Sequence, residues 1–498
     1  MPLLIKTVGH LILIGILSIL VMLPISCGSQ QEEQVHATSK VEKINEIVSL
    51  YTDYEGFNGA ILVSHEGEVI YKKGFGLANM ELDVTNQVDT KFVIASVTKP
   101  FTAMLVMQLV AENKLDLHEP ITNYLPDYPK INGEQITIHH ILSHTSGIPR
   151  DYKGNEKHNK YPDRHRLADL VTLFWEDPLE FAPGERFTYS NSGYLVLGFI
   201  IETVTGKSYE TILKENILTP LGMKNTGVDL HRPIIKNRAN GYFKGFGDYF
   251  NSDYRDLSSI TAVGNIYSTV EDMFLWDQAL YSEKLLPREY MNLLFTKHVE
   301  DVGYGGYHGY GWELKPKPVG NTSEMIETFG HSGSIQGFCA LFTRIPSSNS
   351  SIIFLNNTSR AYLNAMTTAI TGILNDQPYD FPRKPTAKFM SEVIAKEGIE
   401  KGIQFYKEHK DLGDYYIDEV ELIVVGYRLL HAGNAKDAAE VFKLSTEVYP
   451  ENDNPYDSYA EALMALGKNQ EAIKNYKKSL ELNPGNNNAV TMLKKLEE

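Results

Sequence analysis

The sequence predicts an α+β fold, in which an antiparallel sheet is flanked by helices and carries a helical lobe, followed by an all-α helical repeat domain. Strand–turn–strand patterns stand near both ends of the first 375 residues, and mostly helical and loop patterns lie between them. This order favours one sheet closed by the two ends of the region, with the lobe inserted in the middle. A pattern that repeats after a proline-rich break predicts the second part.

The composition is that of a soluble globular protein, and it excludes several classes of function. The formal net charge of −16 argues against a nucleic-acid partner. The two cysteines, Cys27 and Cys339, provide neither a disulfide framework nor a cysteine-based metal site. Cys339 lies in an apolar run and is predicted to be a buried strand residue.

Residues 1–27 have the layout of an export signal. Their apolar stretch, 11–25, is short for a membrane span. Its end resembles a bacterial lipoprotein signal with lipidation on Cys27, although Pro24 stands where an aliphatic residue is usual. A cleaved secretory signal and an uncleaved anchor are the alternatives. Each of the three places the rest of the chain outside the cytoplasm, in the periplasm or extracellular space, and residues 28–40 are predicted to form a polar tether.

Alternating apolar patterns predict two antiparallel hairpins, and amphipathic patterns predict helices beside them. The cleft between such a sheet and a helical lobe is a natural place for an active site. The predicted elements are a helix at 41–51, strands at 59–64 and 69–73, strands at 337–344 and 351–355, and a helix at 363–374.

Ser96 and Lys99 stand three residues apart at the start of a long apolar run, 101–110. Pro100 is tolerated only near a helix start, so the helix is expected to begin close to Ser96, with the two side chains one turn apart. Free N–H groups there would favour the serine alkoxide, and a desolvated neutral lysine can take the serine proton. Alone, the pattern also fits a capped core helix with an incidental lysine.

Two further groups of residues bear on this pattern. Tyr189 and Asn191 are two apart after a Pro-Gly turn, so both side chains are expected to point the same way. A phenol beside a lysine can have a lowered pKa and act as a base, and an amide can orient a carbonyl or the lysine. The small residues of 330–334 would let a substrate backbone lie along a strand edge. Each group alone also fits an ordinary turn.

Two histidines four residues apart, His140 and His144, suggest a metal site at first sight. The segment lacks the glutamate of the H-E-x-x-H pattern and an evident third ligand. We therefore interpret both as structural or loop-bracing residues, and we expect neither a metal nor a cofactor.

Taken together and in this order, the three groups resemble the serine β-lactamase-like hydrolases, the superfamily of class C β-lactamases, D,D-carboxypeptidases and esterases. The resemblance covers roughly residues 41–375, which we take as the hydrolase domain. The matching residues are Ser96 and Lys99 for S-x-x-K, Tyr189 and Asn191 for Y-x-N, and His331, Ser332 and Gly333 where K-T-G or H-x-G is found.

The resemblance implies that Ser96 attacks a carbonyl to form an acyl-enzyme, which water later hydrolyses. Lys99 and Tyr189 would move protons to and from Ser96 and the leaving group. The backbone N–H groups of Ser96 and Ser334 would form the oxyanion hole. The implied substrate-binding residues are Asn191, His331, Ser332 and Gly333.

His331 is a departure from the usual pattern. Family members acting on penicillins or peptidoglycan stems usually have lysine there, which fixes the substrate carboxylate. A histidine is mostly neutral at pH 7, so the anchor for an anion is weakened. We therefore expect an ester, an amide or a D-amino-acid peptide as substrate. A penicillin-binding sensor or scaffold with little turnover, and a true β-lactamase, are the alternatives.

A proline-rich stretch at 376–388 predicts a linker, and the residues after it, 389–498, repeat with a period of 34, as in the pair Gly433 and Gly467. This period and the proline that closes each unit resemble tetratricopeptide repeats. Such repeats form a groove for a protein or peptide partner, or support the hydrolase. The predicted units are a degenerate helical pair at 390–410, repeats at 419–452 and 453–486, and a capping helix at 487–498.

Overall fold

A computed structural model describes residues 29–152, 165–230, 232–244, 249–303, 305–359 and 361–497; the predicted export signal and Cys27 lie outside them. Within these ranges, no helix combines the length and the apolar character needed to cross a membrane. The strands are β1 Gly59–His65, β2 Glu68–Phe75, β3 Leu77–Asn79, β4 Val84–Thr85, β5 Phe92–Val93, β6 Gly227–Val228, β7 Tyr242–Lys244, β8 Tyr249–Asn251, β9 Ile266–Ser268, β10 Val299–Glu300, β11 Tyr307–His308, β12 Glu313–Pro318, β13 Met325–Ile335, β14 Phe338–Ile345, β15 Ser350–Asn356, β16 Lys384–Pro385 and β17 Tyr415–Tyr416.

The helices flank these strands and form the C-terminal part. They are α1 Ser29–Glu55, α2 Thr98–Ala111, α3 Lys130–Gly133, α4 Ile138–Leu142, α5 Leu167–Thr172, α6 Asn191–Thr205, α7 Tyr209–Leu213, α8 Thr219–Leu221, α9 Val270–Ala279, α10 Arg288–Leu294, α11 Leu363–Leu374, α12 Thr386–Glu397, α13 Ile399–His409, α14 Glu419–His431, α15 Ala435–Val448, α16 Asp453–Ala465, α17 Asn469–Leu482 and α18 Asn487–Glu497. Single 3-10 turns occur at Ala95–Val97, Ile121–Asn123, Leu257–Ile260 and Pro346–Ser348, and a π-helical turn occurs at Lys214–Leu218.

An eight-stranded antiparallel sheet forms the frame of the first part of the chain, in the order β10-β11-β12-β13-β14-β15-β1-β2. β1 pairs with β15, with Ile61 opposite Phe354, so the two ends of this region meet in one sheet. The predicted α+β fold, with a sheet closed by both ends, is confirmed.

Both faces of this sheet are covered, which explains why β1 is apolar at nearly every position. Successive side chains of a strand point to opposite faces. Accordingly Ala60 and Leu62 pack in the core shared with the helical lobe. Ile61 and Val63 pack in a second core against α1 and α11. The sheet thus separates the lobe that carries the candidate site from the two covering helices.

The turn between β1 and β2 consists of Glu66 and Gly67, which both have positive φ, 53° and 85°. Two such residues in a two-residue loop define the type I′ turn, whose twist suits a tight hairpin. This hairpin was predicted from the sequence. The second predicted hairpin is β14–β15, joined through the 3-10 turn at Pro346–Ser348.

α2 is the central helix of the lobe and is buried on all sides, as expected of a helix without a polar face. Phe101 stacks on Trp276 of α9, with ring centroids 4.2 Å apart. The segment before the helix is held in place because the N–H of Ile94 donates to the carbonyl of Ile266, 2.9 Å away. The helix begins at Thr98, preceded by the 3-10 turn that contains Ser96, close to the predicted start.

The structure differs from the sequence predictions in four places. The segment 28–40, predicted to be a tether, is helical from Ser29 onwards as the first part of α1. Within the predicted linker 376–388, residues 384–385 form β16, which pairs with β17, and α12 begins at residue 386. Residues 330–334, predicted to lie just before the strand at 337–344, belong to the strand β13. Cys339 lies in β14 as predicted, but its side chain is half-buried rather than buried.

The C-terminal part consists of antiparallel helix pairs with the predicted period. α14–α15 and α16–α17 occupy the two predicted repeats, and α12–α13 form the predicted degenerate pair. A Cβ on Gly426 would lie 2.2 Å from the ring of Phe442, so these two helices cross closely because glycine has no side chain. The pairs stack on the first domain through α1, where Lys388 donates to the carbonyl of Asp53 at 3.0 Å.

Candidate active site

Ser96 lies in the 3-10 turn that leads into α2, immediately after a strained residue. Ala95 has a φ of 47°, in the left-handed region that costs free energy for any residue with a Cβ. Such strain is retained where the surrounding structure over-determines the backbone, which is common at functional sites. Ser96 is half-buried and lines a cavity of the domain.

Lys99 is fully buried one turn after Ser96. Its Nζ lies 3.2 Å from Ser96 Oγ, 2.9 Å from Asn191 Oδ1 and 3.3 Å from the carbonyl oxygen of Val263. Burial lowers the pKa of Lys99 well below its usual value, because desolvation disfavours the ammonium ion. A neutral amine has two N–H donors, which suit the two carbonyl oxygens, and one lone pair, which is left for the hydroxyl proton of Ser96.

Tyr189 completes this group from the opposite side. Its hydroxyl is hydrogen-bonded to Ser96, and its ring lies over Lys99 Nζ at 4.7 Å from the centroid. Burial raises the pKa of Tyr189, so the phenol is neutral. The prediction of a lowered tyrosine pKa is therefore wrong, because a neutral lysine supplies no positive charge to stabilise a phenolate. Tyr189 is a proton donor in this arrangement, and Lys99 is the group able to accept one.

The start of α6 places Asn191 beside Tyr189. Ser190 is the N-cap of this helix, because its Oγ accepts from the N–H of Gly193 at 2.9 Å. Tyr189 therefore lies in the extended segment before the helix, and Asn191 is its first residue. As predicted, both side chains point the same way, toward Lys99. The amide nitrogen of Asn191 donates to Asp151 Oδ1 at 2.9 Å, which orients the amide oxygen toward Lys99.

His144 has a structural role, as predicted, and the residue that it supports is Tyr189, which the sequence did not reveal. Its Nδ1 accepts from the N–H of Ser190 at 3.0 Å, and its ring packs on Tyr189 and Tyr194, with centroids 4.5 and 5.0 Å apart. Burial lowers the pKa of His144 well below its usual value, so the ring is neutral. Its φ of 60° shows that the backbone is bent to hold the ring there.

An open strand edge faces Ser96. In the described part of the chain, β13 pairs with β12 only as far as Gly330, and beyond it pairs with β14 alone. The N–H of Ser332 points away from β14, because it donates to the side chain of Glu313 at 3.4 Å. Alternate residues of a strand direct their N–H groups to the same side, so the N–H of Ser334 faces this edge too.

Gly333 allows the edge to approach the turn of Ser96. A Cβ at this position would lie 2.2 Å from the carbonyl oxygen of Ile94 and 3.2 Å from the Cβ of Ala95. Any larger residue would push β13 away from the turn. Gly333 therefore sets the distance between the strand edge and Ser96.

His331 is 2 % exposed and contributes no positive charge to the site. Its Nδ1–H donates to the carbonyl of Ser332 at 2.6 Å, and Nε2 is buried with no partner among the described residues. Burial lowers the pKa of His331 to about 4. The nearest charged group is Glu313, whose Oε1 lies 3.9 Å from Nδ1 and also accepts from Ser332 Oγ at 3.2 Å.

The structure brings the predicted site residues together at one cavity of about 610 Å³. Lys99 lies behind its wall, and Gly333 lies against the backbone of Ile94. In the part of the chain that the structure describes, no group of three or more histidine, cysteine or acidic side chains is arranged to hold a metal ion. The predicted residues that line the cavity are Ser96, Tyr189, Asn191, His331, Ser332 and Ser334.

The site around Ser96 is of the serine hydrolase type, on a penicillin-binding-protein-like fold. It combines a buried lysine at a helix start with a tyrosine, an asparagine and an open strand edge. Residues 44–373 match the Beta-lactamase family, and residues 455–486 match the Tetratricopeptide repeat. The first match covers more than half of the chain. The protein belongs to the Beta-lactamase family, and it carries a C-terminal tetratricopeptide repeat.

Relatives and solved structures agree with this assignment. Penicillin-binding protein 4* of Bacillus subtilis is 31% identical over 352 residues, which are 67% of this chain and 75% of that protein. A penicillin binding protein from Bacillus halodurans, 30% identical, superposes with a TM-score of 0.56 over 65% of this chain and 98% of its own. A D-amino acid amidase from Ochrobactrum anthropi SV3, 25% identical, has a TM-score of 0.58, covering 68% and 98% of the two chains.

Proposed function

We propose that this protein is an extracytoplasmic serine hydrolase that forms an acyl-enzyme on Ser96. The observation that carries the proposal is the position of Lys99, which is fully buried with its Nζ 3.2 Å from Ser96 Oγ. A lysine that is neutral at neutral pH is a base suited to a serine nucleophile. Burial lowers the pKa of Lys99 well below its usual value and so favours the neutral amine.

The proposed reaction begins when Lys99 accepts the hydroxyl proton of Ser96 and Oγ attacks the substrate carbonyl. The backbone N–H groups of Ser96 and Ser334 bind the oxyanion, each contributing roughly 3 kcal/mol to stabilising the transition state. Tyr189, as a neutral phenol, gives its proton to the leaving group and is reprotonated from Lys99. A water molecule then attacks the acyl-enzyme, Lys99 takes its proton, and the acid leaves as Ser96 regains a proton from Lys99.

The proposed substrate is an ester, an amide or a D-amino-acid peptide. One structural relative is named as a D-amino acid amidase, which supports an amide or peptide of this class. His331 supports a substrate whose anchoring at this point needs no strong cation, because its ring is neutral and Glu313 stands beside it. Asn191, His331, Ser332 and Gly333 would position this substrate along the edge of β13.

The test is hydrolysis of short-chain p-nitrophenyl esters by the purified protein. We expect turnover by the wild type and its loss in Ser96→Ala. Ser347→Ala, which alters an exposed serine in the turn before β15, is the matched control and should retain full activity. Turnover that survives in Ser96→Ala would overturn the assignment of the nucleophile.

A penicillin-binding sensor is the second candidate, because the relatives are named as penicillin-binding proteins. Intact-mass spectrometry after exposure to benzylpenicillin separates the candidates. An adduct that decays within minutes supports the hydrolase, and fast decay with nitrocefin turnover supports a β-lactamase. An adduct that persists for hours supports the sensor.

We further propose that the chain is exported and anchored through a lipid on Cys27. Membrane fractionation of cells that express the wild type or Cys27→Ala tests this. Release of Cys27→Ala alone from the membrane supports the lipid anchor. Release of both proteins indicates a cleaved signal, and retention of both indicates an uncleaved anchor.

The repeat helices, in our proposal, bind a protein or peptide partner or support the hydrolase. Support is favoured by the contacts of α12 with α1, where the ring of Phe389 meets that of Tyr54 at 5.8 Å. A chain that ends at residue 375 distinguishes the two roles. A large fall in the melting temperature of the hydrolase indicates support, and an unchanged melting temperature favours the partner groove.

A further inference from the structure

A second cavity, of about 400 Å³, opens beside the proposed acylation centre. Two of its lining residues continue the segments that build that centre: Val93 precedes Ser96 by three residues, and Ile335 directly follows Ser334. The cavity therefore lies at the end of the open strand edge, beyond the proposed oxyanion hole. Apolar walls are formed by Ile335, Leu257 and Phe338.

Arg255 lines this cavity with an unsatisfied guanidinium group. Its Nε is buried without a hydrogen-bond partner, and Nη1 makes only a long contact of 3.5 Å to Gln336 Oε1. Within the described ranges, no carboxylate lies within 4 Å of the guanidinium. Arginine stays charged in proteins, so a partly buried guanidinium without an anion costs free energy. A ligand carboxylate would satisfy it with two parallel hydrogen bonds.

The other charged groups of the cavity do not take this role. Arg238 is already paired with Asp229 through contacts of 2.9 and 2.7 Å. Asp253 is exposed, so water screens its charge. Among the cavity residues that the structure describes, Arg255 is thus the cation left without an acidic partner.

Arg255 also lies close to the hydrogen-bond chain of the catalytic group. The negative charge of Asp151, which accepts from Asn191, acts on both Arg255 and Lys99. The guanidinium and the buried lysine therefore lie within electrostatic range of the same carboxylate. A substrate bound to Ser96 would have one end near this cavity.

We propose that Arg255 binds a carboxylate of the substrate in this second cavity, so that the preferred substrate carries an anionic group on the part that extends beyond Ser334. The inference rests on the proposed function and deepens it by naming a substrate class. The chain between the scissile carbonyl and the carboxylate is short and apolar, to suit the walls of Ile335 and Phe338. The carboxylate belongs either to the acyl chain or to the leaving group, and the experiment separates these two sources.

The test compares matched esters that differ by one charge. For the acyl chain, p-nitrophenyl monoesters of dicarboxylic acids from succinic to suberic are compared with the same compounds methylated on the distal carboxyl. For the leaving group, 3-acetoxybenzoate is compared with its methyl ester. We expect the wild type to prefer the anionic member of at least one pair by about tenfold or more in kcat/KM.

Arg255→Gln is expected to abolish that preference while its rate on the neutral esters stays within about twofold of the wild type. Arg255→Lys should keep part of the preference, which shows that charge rather than packing is responsible. The exposed Arg232→Gln is the matched control and should behave as the wild type. Absence of any preference in the wild type, or its persistence in Arg255→Gln, would overturn the proposal.

Binding to a variant without the nucleophile tests Arg255 independently of turnover. Calorimetry with adipate should detect binding to Ser96→Ala and a loss of about tenfold or more in affinity in Ser96→Ala/Arg255→Gln. Equal affinities would refute the carboxylate site. Conversely, adipate binding that depends on Arg255, without hydrolysis of any ester by the wild type, would refute the proposed function and leave the carboxylate site standing.

Discussion

Lys99 Nζ and Asn191 Oδ1 lie 2.9 Å apart, and this contact decides how the buried amine is oriented. Asn191 takes one N–H of Lys99, and the carbonyl of Val263 takes another. The remaining lone pair is directed to Ser96. The chemistry proposed for Ser96 therefore depends on an asparagine that does not itself touch the serine.

Lys99→Arg should reduce kcat for ester hydrolysis by about 10³-fold. Arginine places nitrogen donors at this position but cannot lose its proton near neutral pH, so the base is removed. The pre-steady-state release of p-nitrophenol measures the acylation step directly. Lys224→Arg, at an exposed position, is the control and should be unaffected. Acylation by Lys99→Arg at the wild-type rate would rule out lysine as the base.

The activity should fall as the pH is lowered through the pKa of Lys99. That pKa is lowered by burial, so kcat/KM is expected to reach its plateau well below pH 10.5, the usual lysine value. The unfolded chain keeps the proton of this lysine up to about pH 10.5, whereas the folded chain loses it at a lower pH. The contribution of Lys99 to the free energy of unfolding therefore falls as the pH is lowered from 10.5 to the folded pKa, and it stays constant at lower pH.

The pH dependence of the rate and of the stability is tested by pH–rate profiles and thermal unfolding of the wild type and Lys99→Met. Lys99→Met should remove the acidic limb together with the activity and flatten the pH dependence of the melting temperature above the folded pKa. A half-maximal rate near pH 10.5 in the wild type would mean that Lys99 is not desolvated in solution.

His331→Lys should increase acylation by benzylpenicillin. The lysine would supply the cation that His331 lacks, and Glu313, whose Oε1 lies 3.9 Å from the present ring nitrogen, would help to keep it charged. We expect the second-order acylation rate to rise by about tenfold, measured by intact-mass spectrometry over time. His331→Gln keeps the site neutral and should leave the rate within a few-fold of the wild type. An equal rise in both variants would show that charge is not the cause.

Gly333→Ala should impair both folding and catalysis. Its Cβ would collide with the carbonyl of Ile94 at 2.2 Å, so β13 has to move away from the turn of Ser96. Overpacking of this kind costs about 1–3 kcal/mol. Thermal unfolding and ester hydrolysis are the measurements. Gly413→Ala, where a Cβ meets nothing within 4 Å, is the control and should match the wild type.

The sequence predicted much of this site because its parts are local motifs. The three-residue spacing of Ser96 and Lys99 at a helix start already places them together, and the spacing of Tyr189 and Asn191 does the same around a helix N-cap. Which motif faces which could be inferred only from the resemblance to a known family. The protonation states could not be predicted, because burial of Tyr189 is a property of the assembled lobe.

The parts that sequence reasoning missed have weak local signals. β12 contains two prolines and β13 is rich in glycine and serine, and neither composition favours a strand. Pairing holds both in the sheet, because β13 pairs with β14 on one side and with β12 on the other. Arg255 stands in a segment without a motif, and only its buried environment distinguishes it from other arginines.

Labelling with a fluorophosphonate tests whether Ser96 is the nucleophile of this site. Intact-mass spectrometry of the wild type should show one adduct, and peptide mapping should place it on Ser96. Ser96→Ala should show none under the same conditions. An adduct on another residue, or equal labelling of Ser96→Ala, would rule out Ser96 as the nucleophile.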